Sequence, residues 1–205
     1  MKVYDTNFIK DQFPALKRKV WDKKLVYLDS AASMQKPKRV LDTINKSYSF
    51  NYSNVHRGLH KLSEEATAKY EGSRIKVAQF INCSENEVIF TSGATAALNL
   101  IAYSWGMKNL SAGDEIIITI AEHHANIVPW QIIAEQKNVK IKAAHVDPNS
   151  EFNPNIIRDL VSDKTKIIAF PQVSIVLGTT FPVKEICKIA KECGFVVIHK
   201  SDLIS

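Results

Sequence analysis

Downstream of residue 88, short β-branched runs alternate with stretches of helical period, and few architectures accommodate that rhythm. The runs at 88–90, 115–120, 140–145, 166–170 and 195–198 read as strands. Between them, 94–104, the stretch after His124, 155–161 and 183–192 carry helical spacing. Strands that are apolar throughout, rather than at every second residue, are covered on both faces. A helix between each pair of strands makes neighbours parallel. The expected fold class is therefore α/β, a mostly parallel sheet flanked by helices, with any ligand beyond the carboxyl ends of the strands.

Upstream, the pattern is looser. It predicts a short helix at 5–13, a strand at 25–28, a helix from Pro37 to about Tyr48 and a polar loop at 51–58. A long amphipathic helix begins near Ser63, with Ala66, Tyr70, Ile75, Val77, Phe80 and Ile81 as its apolar face. The domain organisation expected is a segment at 1–24, packed on or beside a main domain at 25–205.

Bulk chemistry narrows the function. The net charge is +6, but the lysines are scattered and no nucleic-acid module is recognisable, so a nucleic-acid partner is not expected. No apolar run reaches bilayer length and Met1-Lys2-Val3 opens no signal-peptide layout, which makes the expected location cytoplasmic, with no membrane partner. Cys83, Cys187 and Cys193 are odd in number and lack C-x-x-C spacing, as reduced thiols do; neither a disulfide framework nor a metal site is expected.

Three predicted strand ends carry polar groups. In Phe90-Thr91-Ser92-Gly93-Ala94-Thr95 a glycine turn opens a helix whose first amides, at Ala94 and Thr95, have no intrahelical acceptor. Such amides, at the positive end of the helix dipole, suit a phosphate, and the Thr95 hydroxyl adds a donor. Glu122-His123-His124-Ala125-Asn126 follows the next strand, offering an imidazole for stacking or proton transfer. Gln172-Val173-Ser174 and Leu177-Gly178-Thr179 follow a third.

Together with Tyr27-Leu28-Asp29-Ser30-Ala31-Ala32, Asn54-Val55-His56-Arg57-Gly58, Ala112-Gly113-Asp114-Glu115-Ile116 and His123-His124-Ala125-Asn126-Ile127-Val128-Pro129-Trp130, these motifs resemble a class V aminotransferase-fold enzyme. Within that family the chain is similar to the N-terminal part of a SufS-type cysteine desulfurase, over residues 10 to 198. The resemblance implies an incomplete large domain of the fold type I transferases that use pyridoxal 5′-phosphate (PLP). It implies the conversion of L-cysteine to L-alanine, with sulfur carried as a persulfide to a SufE- or SufU-type acceptor for iron–sulfur cluster assembly. Ala94 and Thr95 would hold the PLP phosphate, and His123 would stack on the ring and help proton transfer. Ala31 and Ala32 would lie beside the substrate, with His56 and Arg57 at the site mouth near a homodimer interface.

Four departures from the family pattern stand out. His199-Lys200-Ser201-Asp202 stands where the family has Asp-Gly-Ala-Gln, Ile175 replaces an Asn and Ala96 replaces a Glu. The chain stops before the Schiff-base Lys, the substrate-carboxylate Arg and the persulfide Cys. The expectation is a truncated desulfurase, inactive alone. The alternatives are a non-catalytic or split-gene partner of a full-length desulfurase, or a relative acting on selenocysteine.

Overall fold

The computed structural model describes residues 4–147 and 151–200, His199 and Lys200 by backbone alone. Met1–Val3 and the Ser201 and Asp202 positions singled out above lie outside the described residues. The chain forms two compact units, Met1–Ile89 and Phe90–Ser205.

In the first unit, helix α1 (Thr6–Asp11) is capped by Asp5, whose carboxylate accepts from the amides of Asn7 and Phe8. A small antiparallel hairpin pairs β1 (Lys19–Val20) with β2 (Lys23–Lys24). Its two turn residues, Trp21 and Asp22, both take positive φ (50° and 59°), as a tight hairpin turn demands. Then come α2 (Lys38–Lys46) and α3 (Lys61–Ile81), the latter ended by Asn82 in the left-handed region.

Three expectations fail here. The strand predicted at 25–28 does not form: beyond the Leu25 amide's bond to the Arg18 carbonyl at 3.2 Å it joins no ladder among the described residues, and Val26 and Leu28 are exposed. Residues 88–90 are likewise not a strand. The Val88 carbonyl is taken by the Arg74 guanidinium, which removes an acceptor a ladder would need. The apolar face assigned to α3 is also misplaced: Ile75, Val77, Phe80 and Ile81 are exposed, while Ser63 and Ala78 are buried. Polar bonds override the apolar stripe. The Ser63 hydroxyl donates to the Asn54 carbonyl at 2.6 Å and Thr67 Oγ1 accepts the His56 amide at 2.8 Å, turning that side of the helix inward.

The second unit holds the parallel sheet. Its strands are β3 (Glu115–Thr119), β4 (Lys140–Ala144), β5 (Thr165–Pro171) and β6 (Val196–Lys200), in spatial order β4-β3-β5-β6. The helices are α4 (Ala94–Ile101), α5 (Met107–Asn109), α6 (Val128–Lys137), α7 (Asn155–Leu160) and α8 (Val183–Cys193). Every residue of β3 is buried, as its unbroken apolar run requires. The period of two splits the core cleanly. Ile117, Ile168 and Phe170 pack with Ile157 of α7 and Ile186 and Ile189 of α8. Ile116, Ile118, Ile167 and Ala169 face the other way, onto Leu98 of α4 and Trp130 and Ile133 of α6. The α/β class and the parallel order expected above are both present. None of the helices among the described residues is long and apolar enough to cross a membrane.

Depth of core differs between the units. Of the described residues before Phe90, only Ser63, Ala78 and Val88 are buried, whereas Trp21 and Leu28 are each 91% exposed. Local opening is easiest where few apolar contacts oppose it. Hydrogen–deuterium exchange should therefore show the amides of β3 and β5 protected at least about a hundredfold more than those of α1, α2 and the hairpin. Equal protection in both units would contradict this packing.

The N-terminal edge of the sheet carries a charged clasp. Lys142 Nζ lies 2.6 Å from Glu115 Oε2 and also donates to the Leu160 carbonyl at 2.8 Å. Ser162 Oγ donates to the same carboxylate oxygen at 2.5 Å. The Lys142 hydrogen bond first, and the Ser162 hydroxyl second, hold the Glu115 carboxyl below the ordinary carboxylate range. A carboxyl depressed in the folded state stabilises the fold above its unfolded pKa, and that share is lost as pH falls through the lowered value. We expect Lys142→Met to cost about 1–3 kcal/mol at neutral pH, below the cost of breaking a fully buried pair because Lys142 is partly solvated. The gap between variant and wild type should narrow as pH drops into the acid range. Urea melts at neutral and acid pH measure this, and a gap that widens in acid would refute it.

Candidate functional site

Three segments of the second unit meet the expectations differently. The first is the start of α4. Gly93 takes φ 157° and ψ 176°, backbone that glycine reaches at little cost, and the space its Cβ would occupy is open. The Gly93 carbonyl accepts from the Ala97 amide at 3.0 Å, so the helix closes from there and the Ala94 and Thr95 amides precede its first intrahelical bond. Gly93, Ala94 and Thr95 are all exposed. The seat is open rather than filled by side chains.

The second segment is the turn after β3. His123 caps it: its Nδ1 accepts from the Ala125 amide at 3.1 Å, and its carbonyl accepts from the Asn126 amide at 2.8 Å. Glu122, buried, accepts with Oε2 from the His123 amide at 3.0 Å and with Oε1 from Asn126 Nδ2 at 2.6 Å. Asn126 Oδ1 in turn accepts from Trp130 Nε1 at 3.0 Å, both residues fully buried. The two imidazoles splay apart, ring centroids 6.2 Å and planes at 60°. Helix α4 packs against the turn His124–Asn126, so the open amides and the His123 turn belong to one corner of this unit.

The third segment, after β5, is stitched to the second. Buried Ser174 donates from Oγ to the Ala121 carbonyl at 2.9 Å and accepts the Leu177 amide at 3.1 Å. Gly178, at φ 72°, closes the loop by donating to the Ser174 carbonyl at 2.8 Å. Ile175 and Val176 project outward, 42% and 72% exposed.

The remaining site residues lie in the first unit. Ala31 and Ala32 sit in an exposed turn spanned by the Tyr27 hydroxyl, which reaches the Ser33 carbonyl. His56, at φ 69°, has Nε2 2.7 Å from Glu71 Oε1, its ring set edge-on to Tyr70 at 5.8 Å. Arg74 Nε bonds the other Glu71 oxygen at 3.2 Å. Arg57 is exposed, and Gly58 cannot be replaced without a clash, since its Cβ would meet Ser63 Cβ at 2.4 Å.

Sequence reading missed two sets of positioning groups, Glu71 with Arg74 and Glu122 with Asn126 and Trp130. The second set had a visible signal in its regular spacing of four, although of the three only Trp130 lies in α6. At the tip of β6, His199 pairs with Phe170 on the backbone, so the ladder runs on through the basic pair His199-Lys200. Among the described residues no cluster of side chains is suited to hold a metal ion. Cys187 is partly buried, which pushes its thiol pKa up and makes it a poor nucleophile.

The model of the aminotransferase class-V family matches residues 26–199. A probable cysteine desulfurase of Synechocystis is 44% identical over 191 residues, 93% of this chain and 46% of that protein. The cysteine desulfurase CsdA of Escherichia coli superposes with a TM-score of 0.83 at 33% identity, covering 96% of this chain and 48% of that one. The apo cysteine desulfurase of Thermococcus onnurineus gives 0.87 at 31% identity, covering 96% and 47%. The chain thus spans about half the length of the relatives it matches.

Proposed function

The chain belongs to the class-V aminotransferase family, and on that premise we propose that it carries the cofactor-gripping part of a PLP-dependent cysteine desulfurase. One observation supports this above the others: an open helix start at Gly93–Thr95 beside the turn that His123 caps. The phosphate end of PLP fits that seat. The amides of Ala94 and Thr95 with the Thr95 hydroxyl would bind it, and the exposed His123 ring would lie against the pyridine. When bound, PLP supplies an electron sink for bonds at the α-carbon of an amino acid. Ala31 and Ala32 would border the substrate, L-cysteine, while His56 and Arg57 would line the mouth of a site shared between two copies. A cytoplasmic homodimer handing sulfur to a SufE- or SufU-type acceptor completes the reading, as does the division into a 1–24 segment and a 25–205 cofactor-binding domain.

A second reading rests on β6. A pyridine nitrogen works as an electron sink when an acid faces it, and the strand continues into His199-Lys200 instead. That favours a chain that binds PLP without using it, alone or beside a full-length relative. Titration with PLP and with pyridoxal, followed by visible absorbance, separates the possibilities. We expect PLP to bind roughly 10–100-fold tighter than pyridoxal, the worth of one or two charge-assisted hydrogen bonds. Equal affinities would overturn the phosphate seat. Alanine release from cysteine by the PLP-loaded chain would overturn the second reading.

A further inference from the structure

We propose that Glu122, Asn126 and Trp130 form a positioning chain that holds the His123 ring with its proton on Nε2. The inference rests on the reading of His123 as the ring that meets the cofactor.

Direction is set at the buried end. An indole nitrogen only donates, so the Asn126 oxygen must face Trp130 and its NH2 must face Glu122. Glu122 therefore accepts from Asn126 with Oε1, leaving Oε2 to accept the His123 amide. Both bonds close the same short turn, His124–Asn126. Within it the Ala125 N–H points at His123 Nδ1, 3.1 Å away. A backbone N–H only donates, so Nδ1 must present a lone pair and the neutral ring carries its proton on Nε2.

A purely structural network would tie α6 to β3 and leave the tautomer indifferent. This one is aimed. The two Glu122 carboxylate oxygens reach back to the capping residue and forward to the residue that closes the turn. The consequence for ligand chemistry is definite: His123 meets a flat ring as a hydrogen-bond donor from Nε2.

Long-range proton–nitrogen NMR of the full 205-residue chain, at a pH where imidazole is neutral, reads the tautomer directly. We expect wild-type His123 to favour Nε2–H over Nδ1–H by at least roughly tenfold, the worth of one good hydrogen bond. In Glu122→Gln one carboxylate acceptor becomes a donor, which must clash with either Asn126 Nδ2 or the His123 amide. The preference should then fall to about threefold or less, with His124 in the same spectrum unchanged. Trp130→Phe, which keeps a ring but removes the N–H, should shift it the same way and serves if Glu122→Gln does not fold.

An unchanged His123 tautomer in either folded variant overturns the proposal. So does a wild-type ring without the Nε2–H preference, which needs no variant at all. The cofactor reading fails separately: wild type that ignores PLP but shows the expected tautomers removes that reading and leaves the positioning chain standing.

Discussion

Trp130→Ala is expected to destabilise the C-terminal unit by about 3–5 kcal/mol, the cost of emptying an aromatic site in a close-packed core. Trp130 is fully buried, and its ring fits so closely that a Cβ placed on Gly106 would lie 3.3 Å from Cζ3. Neighbours Ile133 and Leu110 are themselves fully enclosed, so the cavity has little freedom to collapse. The variant also leaves Asn126 Oδ1 without its donor, adding about 1–3 kcal/mol for an unpaired buried acceptor. Against the 5–15 kcal/mol typical of a folded domain, the sum removes much of the margin. Urea unfolding followed by circular dichroism measures it, and a loss below about 1 kcal/mol would show that α6 does not anchor this face of the sheet.

Phe170→Ala should cost a comparable amount on the opposite face, again about 3–5 kcal/mol. Phe170 is fully buried near the end of β5, its ring 6.0 Å from Phe181, which in turn lies tilted at 4.6 Å against Phe152. Phe181 also closes the loop that Ser174 ties to β3, donating its amide to the Gln172 carbonyl at 2.9 Å. Loss of the Phe170 ring should therefore loosen residues 172–180 as well as lower stability. Hydrogen exchange separates the two effects: the Ser174, Gly178 and Phe181 amides should lose protection beyond that of β3. If those amides and β3 weaken equally, the aromatic cluster supports the core alone.

The helices and strands of the second unit were legible because local pattern and burial agree there. Ile116–Ile118 and Ile167–Pro171 are apolar at consecutive positions, and only a sheet covered on both faces satisfies such runs. Gly194 after α8 announces its end, and it sits at φ 76°, where a side chain would be strained. The first unit was less legible, because its deciding interactions join residues far apart in the chain. Arg74 withdraws the Val88 carbonyl from any ladder, and the Ser63 hydroxyl turns α3 onto its polar side; neither leaves a periodic trace.

Of the candidate site, the residue types and the glycine turn could be read directly, because an exposed amide at a helix start follows from covalent geometry and chain direction. The orientation of His123 could not. It depends on which way the Asn126 amide faces, and that is decided by a tryptophan N–H four residues further on, inside a core that exists only once α6 has packed against the sheet. Sequence alone determined the alternation, the parallel order and where a helix start leaves its amides open, since each follows from local sterics and apolar period. Tertiary structure alone decided which polar side chains meet, because a hydrogen bond needs a particular donor within about 3 Å of a particular acceptor, and only packing brings them there.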